Sequence, residues 1–363
     1  MARTLSANLR GVMDDKKRKK KQRRVRKADW ESQQDVTYSR DLKRHLRTNT
    51  AVSDAAPAPD IPDDFEPNGL VISRSRKWAF VQWDGREDLC KLTDDLAQRG
   101  TSVAPGDRVL IEEIEGSPWV RAVAPRRSKL SRPAMEHAES DEQVFAANVD
   151  VLVVVAAAKK PAFKPGLVDR YLIAADVGGV EPILCFNKTD LIETEPPELQ
   201  AYRDLGIRVI KTSCESGEGL EELRSILRGK TSMFAGHSGV GKSSLLNALQ
   251  PDLDLDTREI SESTKKGRHT TTTAKLFRLD DGISVIDTPG IRALGLWEVS
   301  PEEVAYYFPE IAQHAAGCKF RDCTHTHEPN CAVRDAVDSG AISKHRFESF
   351  RRIRESLEEA KEY

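Results

Sequence analysis

Eight consecutive residues, Gly236-His237-Ser238-Gly239-Val240-Gly241-Lys242-Ser243, carry the most specific chemistry in this sequence. They match the spacing G-x-x-x-x-G-K-[ST], in which glycines let backbone N–H groups wrap a phosphate chain and the following helix adds its positive end. Lys242 would reach the β- and γ-phosphates, and the Ser243 hydroxyl would ligate Mg²⁺. Met233-Phe234-Ala235 before the loop reads as a strand and Ser243–Leu249 after it as a helix, which is the setting such a loop requires.

Two further motifs define which nucleotide this is. Asp287-Thr288-Pro289-Gly290 closes the strand-like run Ile283-Ser284-Val285-Ile286. A carboxylate at the tip of a buried strand beside a phosphate loop suits Mg²⁺, and the Gly290 N–H can meet a γ-phosphate while its backbone hinges. Asn187-Lys188-Thr189-Asp190 closes the run Ile183-Leu184-Cys185-Phe186. One carboxylate accepts hydrogen bonds from both the N1–H and the 2-amino group of guanine. Adenine offers neither donor, so Asp190 would select GTP and GDP over adenine nucleotides. The loop Thr212-Ser213-Cys214, after the next strand, would support the base through its backbone.

The order of these motifs is permuted. Common GTPases run phosphate loop, switch threonine, DxxG, NKxD and then the serine loop. Here the guanine motif at 187 and the serine loop at 212 precede the phosphate loop at 236, the run Gly267-Arg268-His269-Thr270-Thr271-Thr272-Thr273 and the aspartate at 287. Joining neighbouring chain ends and cutting elsewhere leaves the strand tips in place, so the site survives a circular permutation. Its mechanical consequence is that Gly290 feeds directly into the C-terminal region. The threonine run suits a switch loop in which one hydroxyl closes on Mg²⁺; the pattern does not choose among the four, and Thr271 stands with Lys242 and His269 as a catalytic candidate. Ile291 follows Gly290 where many GTPases carry a water-orienting glutamine. An apolar side chain cannot orient water, which turns attention to His269.

Cys318, Cys323 and Cys331, with His325 between them, supply three thiolates and an imidazole within fourteen residues. A closed Cys₃His set has no open position and fits one structural Zn²⁺. His327 is a rival imidazole and His314 a more distant one. Lys319, Arg321 and Arg334 would give this module a cationic face. Cys90, Cys185 and Cys214 are isolated and read as buried free thiols in a reducing compartment.

The elements that must position these groups follow from pattern. Hydrophobic residues at 39% and charged residues at 31% are a soluble globular balance. The longest apolar run, Val151 to Ala158, is eight residues, far below the roughly 20 a membrane helix needs, so a membrane partner is excluded from the reading. Residues 1–50 hold sixteen cations and six acids, ten of the cations within Lys16–Lys27, while the rest of the chain is net acidic. Such an arm stays solvated and suits a polyanion, nucleic acid first. Prolines 57, 59, 62 and 67 mark a linker. Short alternating runs then begin: Leu70-Val71-Ile72, Trp78 to Trp83, Val109-Leu110-Ile111 and Trp119 to Val123. Separated by Asp84-Gly85, Pro105-Gly106-Asp107 and Glu115-Gly116, they predict a small OB-type β-barrel. Trp78 and Trp83 are available there to stack on bases or to fill the core. Beyond a connector, strand-like runs at 149–156, 182–186, 209–212, 231–235, 273–279 and 283–286 alternate with helical stretches at 167–177, 198–205 and 220–227. That rhythm predicts a mostly parallel sheet with helices on both faces. Phe347, Phe350, Ile353 and Leu357 give the last stretch an amphipathic helix packed on the Cys/His module.

The barrel, the permuted motifs NKTD, GHSGVGKSS, GRHTTTT and DTPGI, and the run CKFRDCTHTHEPNCAV together resemble the RsgA/YjeQ family of small ribosomal subunit biogenesis GTPases over about residues 67–360. Pattern and resemblance together give a multi-domain α/β protein: a basic extension and linker (1–66) that lies outside the resemblance, then an OB-fold-like barrel (67–125), a connector (126–145), a circularly permuted P-loop GTPase domain (146–300) and a C-terminal zinc-binding helical domain (301–363). The resemblance implies a GTP hydrolase that binds the small ribosomal subunit and its rRNA late in assembly, with hydrolysis stimulated by the ribosome and coupled to release; the chain is expected to be cytoplasmic and monomeric. An RNA-binding scaffold with negligible turnover is one alternative, and a nuclear or nucleolar factor with Lys16–Lys27 as a localisation signal is another. By the same resemblance the phosphate loop extends over Gly236–Ser244, the guanine motif falls on Asn187, Lys188 and Asp190, zinc on Cys318, Cys323, His325 and Cys331, and the catalytic histidine on His269. The basic extension departs from the family's compact pattern.

Overall fold

The computed structural model describes residues 64–75, 77–93, 103–133, 142–250, 274–287 and 299–362, with Leu96 and Leu296 singly. The basic arm, most of the proline linker, His269, Thr271, Gly290 and Ile291 lie outside the described residues.

Strands β1 (Gly69–Arg74), β2 (Trp78–Trp83), β3 (Arg86–Leu92), β4 (Arg108–Ile114) and β5 (Ser117–Val123) form a closed barrel. Neighbours pair antiparallel except β3 with β5, and β1 pairs with β4 to close the ring. Asp84-Gly85 and Glu115-Gly116 turn two hairpins with positive φ at all four residues, the primed geometry that matches strand twist. Alternate side chains, among them Val71, Val81, Cys90, Ile111 and Val120, fill the interior. β3 escapes the sequence reading because its first half, Arg86-Glu87-Asp88, is charged and only Cys90 and Leu92 face inward.

The segment read as a connector holds a hairpin of β6 (Lys129–Pro133) and β7 (Glu142–Ala147). The barrel docks beside it. Pro105 O accepts from Ala147 N, and Gly106 O from Asn148 Nδ2, both at 2.9 Å. The approach is so close that a Cβ on Gly106 would lie 2.1 Å from Ala147 O. Asp107, fully buried, anchors the turn by accepting from Ala104 N and from Arg126 at 2.7–2.8 Å.

The main sheet has the order β10 (Arg208–Thr212), β9 (Glu181–Asn187), β8 (Val151–Ala157), β11 (Thr231–Ala235), β13 (Ser284–Asp287) and β12 (Lys275–Arg278). The first five are parallel and β12 runs antiparallel to β13. β12 also meets β1 at one position, Ser73 opposite Lys275, so barrel and sheet form one array of eleven strands. Every residue of β8 is buried. Its period of two sends Leu152, Val154 and Ala156 toward α1 (Pro165–Gly178) and α2 (Glu198–Asp204), and Val151, Val153 and Val155 toward α3 (Leu220–Leu227) and α4 (Lys242–Leu249). Covering both faces is what an unbroken apolar strand demands.

The C-terminal helices α5 (Pro309–Ala315), α6 (Ala332–Asp338) and α7 (Lys344–Glu362) share the core of the α1 face through Ile311, Val333, Phe350 and Ile353. Arg346 of α7, with 3% of its side chain exposed, is buried against Phe308 and pairs with Asp169 of α1 and, at 2.6 Å, with Glu310 of α5. Among the described residues no helix is long and apolar enough to cross a membrane.

Candidate nucleotide and metal sites

Parallel pairing brings the motif-bearing strand ends to one edge of the sheet. Thr212, Asn187 and Ala157 stand opposite one another at the ends of β10, β9 and β8, and Ala235 and Asp287 end β11 and β13. The phosphate loop leaves β11 with positive φ at Gly236, Gly239 and Gly241. Side chains are excluded by space as well. A Cβ on Gly236 would lie 2.3 Å from Val155 O, and one on Gly241 would lie 2.3 Å from Asn187 Nδ2. The backbone can therefore form a close, side-chain-free cradle.

Lys242, the first residue of α4, donates from Nζ to Gly236 O at 2.9 Å and His237 O at 3.2 Å. Burial pushes its ammonium below the ordinary lysine value, and the Asp287 carboxylate opposes that. Ser243 and Ser244 follow in the first turn of α4. His237, Ser238 and Gly239 are exposed at the loop's crest while Val240 is buried; the His237 ring donates to Ser238 O at 2.8 Å. A hydroxyl on Ser243 and a carboxylate on Asp287 are ligand types that suit a divalent cation, and the Lys242 ammonium suits a phosphate chain.

The guanine motif is tied to this loop. Asn187, 2% exposed, donates from Nδ2 to Val240 O at 2.8 Å and accepts from Thr212 Oγ1 at 3.1 Å. Lys188 sits at φ +63° and donates to Gly239 O and Lys160 O, each at 2.6 Å. Thr189 donates to Glu218 Oε2 at 2.6 Å. Ser213 Oγ donates to Asp190 Oδ1 at 2.6 Å and accepts from Glu215 N and Ser216 N at 3.2 Å. The side chain of Ser213 thus aims the carboxylate, a role beyond the backbone support expected of it. Thr212, expected only to lend backbone support to the base, orients Asn187 through its side chain.

The second site is the Cys/His cluster. The ligating atoms of Cys318, Cys323, His325 and Cys331 all lie within 4.8 Å of one another. Cys318 Sγ is 3.8 Å from Cys331 Sγ, and His325 Nδ1 is 3.5 and 3.4 Å from these sulfurs. Tetrahedral bonds of about 2.3 Å to sulfur and about 2.0 Å to nitrogen give edges of about 3.8 and about 3.5 Å, so the four atoms fit a zinc-sized cation. His325 reaches the cluster with φ +61° and is buried. His327 instead bonds Thr326 and His314 bonds Glu310 O, which resolves the rivalry in favour of His325. Glu328, unremarked in sequence, closes the loop by accepting from Thr324 N, Thr324 Oγ1, Thr326 N and His327 N at 2.5–3.2 Å.

The chain is similar to known proteins in sequence and in fold. The RsgA GTPase family model matches residues 123–297. A small ribosomal subunit biogenesis GTPase RsgA from Saccharophagus degradans is 41% identical over 310 residues, covering 81% of this chain and 88% of that protein. Its counterpart from Shewanella oneidensis is 40% identical over 307 residues, covering 81% and 84%. The crystal structure of YjeQ from Thermotoga maritima superposes with a TM-score of 0.61 at 33% identity, covering 80% of this chain and 98% of that one. The structure of YloQ, a circularly permuted GTPase, gives 0.60 at 29% identity, covering 84% and 99%.

Proposed function

This chain belongs to the RsgA GTPase family, and from that membership we propose that it hydrolyses GTP at the carboxyl edge of its sheet while serving the maturation of the small ribosomal subunit. The observation that carries the reading is the pair of clasps, Asn187 to Val240 and Lys188 to Gly239, which join a base-recognising loop to a phosphate loop although the two are some fifty residues apart in a permuted order. The strand-end geometry supports the assignment of Asn187, Lys188, Thr189, Asp190 and Ser213 to the guanine base. Gly236–Ser244 bind the phosphates, with Lys242 meeting the transferred group. Ser243 and Asp287 would hold Mg²⁺, which supplies charge neutralisation on the β- and γ-phosphate oxygens. Gly290 reads the γ-phosphate, Thr271 serves the switch, and His269 orients the attacking water in place of a glutamine. With Ile291 apolar, the unassisted reaction is slow, and the ribosome completes the site.

The domain boundaries of the sequence reading are retained. Ring order β1-β2-β3-β5-β4 supports an OB-type barrel. Its outer face suits rRNA: Lys91 lies between the rings of Trp78 and Trp119, and Arg86 stacks on Trp83 at 4.5 Å. The Cys₃His set holds one structural Zn²⁺. The protein acts as a cytoplasmic monomer on the subunit and its rRNA, with the basic arm adding affinity for the polyanion.

The test is GTP turnover by purified protein with and without small ribosomal subunits, with ATP as control. Slow, GTP-only turnover that rises sharply with subunits is the expected result. Turnover indifferent to subunits removes ribosomal stimulation, and equal use of ATP removes the guanine assignment.

A further inference from the structure

We propose that Glu218 is a positioning residue for the guanine base: its carboxylate fixes Thr189, and through the Thr189–Asp190 peptide it sets the plane in which Asp190 meets the base. The inference rests on the nucleotide reading above. Thr189 Oγ1 lies 2.6 Å from Glu218 Oε2 and 3.2 Å from Thr212 O. A hydroxyl has one proton to give, and the shorter contact has the length of an O–H donated to a charged oxygen. The Glu218 carboxylate therefore takes it. Its other neighbour, Lys211 Nζ, is 3.7 Å away, and the lysine and glutamate side chains are 50% and 45% exposed, an ion pair that water screens.

Both ends of this bond are anchored by backbone. Ser213 N donates to Glu218 O at 3.1 Å and Gly217 N to Ser213 O at 2.9 Å, which closes the serine loop on itself. Gly219, next in the chain, has φ +68° and presses on β10 so closely that a Cβ would lie 1.9 Å from Lys211 O. Glu218 is thus held beside the end of β10, with its side chain reaching the loop that follows β9. There Thr189 opens a 3₁₀ turn, Thr189–Leu191, in which Leu191 N donates to Lys188 O and Ile192 N to Thr189 O, each at 3.1 Å. Rotating the Thr189–Asp190 peptide would pull the Thr189 hydroxyl off its carboxylate. Two adjacent residues of the guanine motif are therefore held by side chains of one loop, Asp190 by the Ser213 hydroxyl and Thr189 by Glu218. The second hold has a specific use. A carboxylate that meets one donor tolerates tilt, whereas one that meets both the N1–H and the 2-amino group must lie in the plane of the base.

The test compares GDP with inosine diphosphate, whose base keeps the N1–H and lacks the 2-amino group, by competition titration of the purified full-length chain. Glu218→Ala should lower the preference for GDP by about three- to fivefold, the scale of one net hydrogen bond. Glu218→Gln, which keeps an acceptor at the same place, should stay within about twofold of wild type. Thr189→Val should match Glu218→Ala, and the double variant should fall no further than either, because both changes remove one and the same bond. An unchanged preference in Glu218→Ala overturns the proposal. So does a fall in Glu218→Gln as deep as in Glu218→Ala, and so does full additivity in the double variant. Equal losses of GDP and inosine diphosphate affinity with a lower melting temperature mark a merely structural role and overturn it as well. Wild type is the separate control: if it fails to prefer GDP over inosine diphosphate, the guanine assignment itself falls, whereas a variant equal to a discriminating wild type sinks only the role of Glu218.

Discussion

Lys242 clamps two carbonyls of its own loop, and in the proposed function it carries the charge that meets phosphate. Lys242→Ala should therefore remove the charge-assisted bonds and weaken GTP binding by about a hundredfold or more, read by titration; tight binding retained would contradict the phosphate-loop assignment. At the other end of the site, Asp190→Asn replaces an acceptor of two bonds by a group that offers one acceptor and a misplaced donor. The preference for GTP over ATP should fall by roughly one to two orders of magnitude, measured by competition. Ser213→Ala should produce a smaller loss in the same direction, because Asp190 keeps its charge and loses the hydroxyl that aims it. These roles differ in how readily sequence discloses them. Asp190 and Lys242 announce themselves by type and spacing. Ser213 and Thr212 act through side chains whose targets lie some twenty residues away across a strand pair, and local pattern holds no trace of that.

Among elements, the strands and helices that cover both sheet faces are legible because burial on two sides writes an unbroken apolar run, as in β8. β3 is not, since of its seven residues only Cys90 and Leu92 are buried, and the β6–β7 hairpin is not, since β6 is mostly polar and β7, although buried over Val144–Ala147, lies at the end of a segment read as a connector. The choice of His325 over His327 likewise depends on a loop shape that spacing does not encode. Glu328 makes that shape. Although partial burial raises its carboxyl, the hydrogen bonds from Thr324 and His327 hold it well below the ordinary glutamate value of 4.5. A depressed carboxyl contributes stability above its unfolded value and loses it as pH falls toward the folded one, so the support is complete at neutral pH. Glu328→Gln should speed metal loss to a chelator several-fold at pH 7, followed by a colorimetric indicator, with the Cys ligands intact. Gly106→Val tests another element, the docking turn. With φ +91° and a carbonyl in the path of any Cβ, the variant should melt several degrees lower, through strain of about 1–3 kcal/mol.

Across the whole molecule, the C-terminal helices are fastened to the sheet by buried charge as well as by apolar packing. Arg346 between Asp169 and Glu310 leaves the buried Asp169 carboxylate and the half-buried Glu310 carboxylate without their cation if it is replaced by Met, a loss of about 3–5 kcal/mol that urea unfolding would register; Asp169→Asn in the same chain should recover part of it. The joint between barrel and sheet is built differently. Its ladder is the single pair Ser73–Lys275, against seven successive register pairs between β8 and β9. In amide exchange the two should part company by orders of magnitude: deuterium enters at the joint during brief local openings, while β8 waits for global unfolding. The strand that exchanges early there, β12, lies beside the one that ends in Asp287. Anything that grips the barrel therefore acts on the slackest seam in the array, one strand away from the Asp287 carboxylate of the proposed nucleotide site, and solvent deuterium would record that grip as slowed uptake at Ser73 and Lys275.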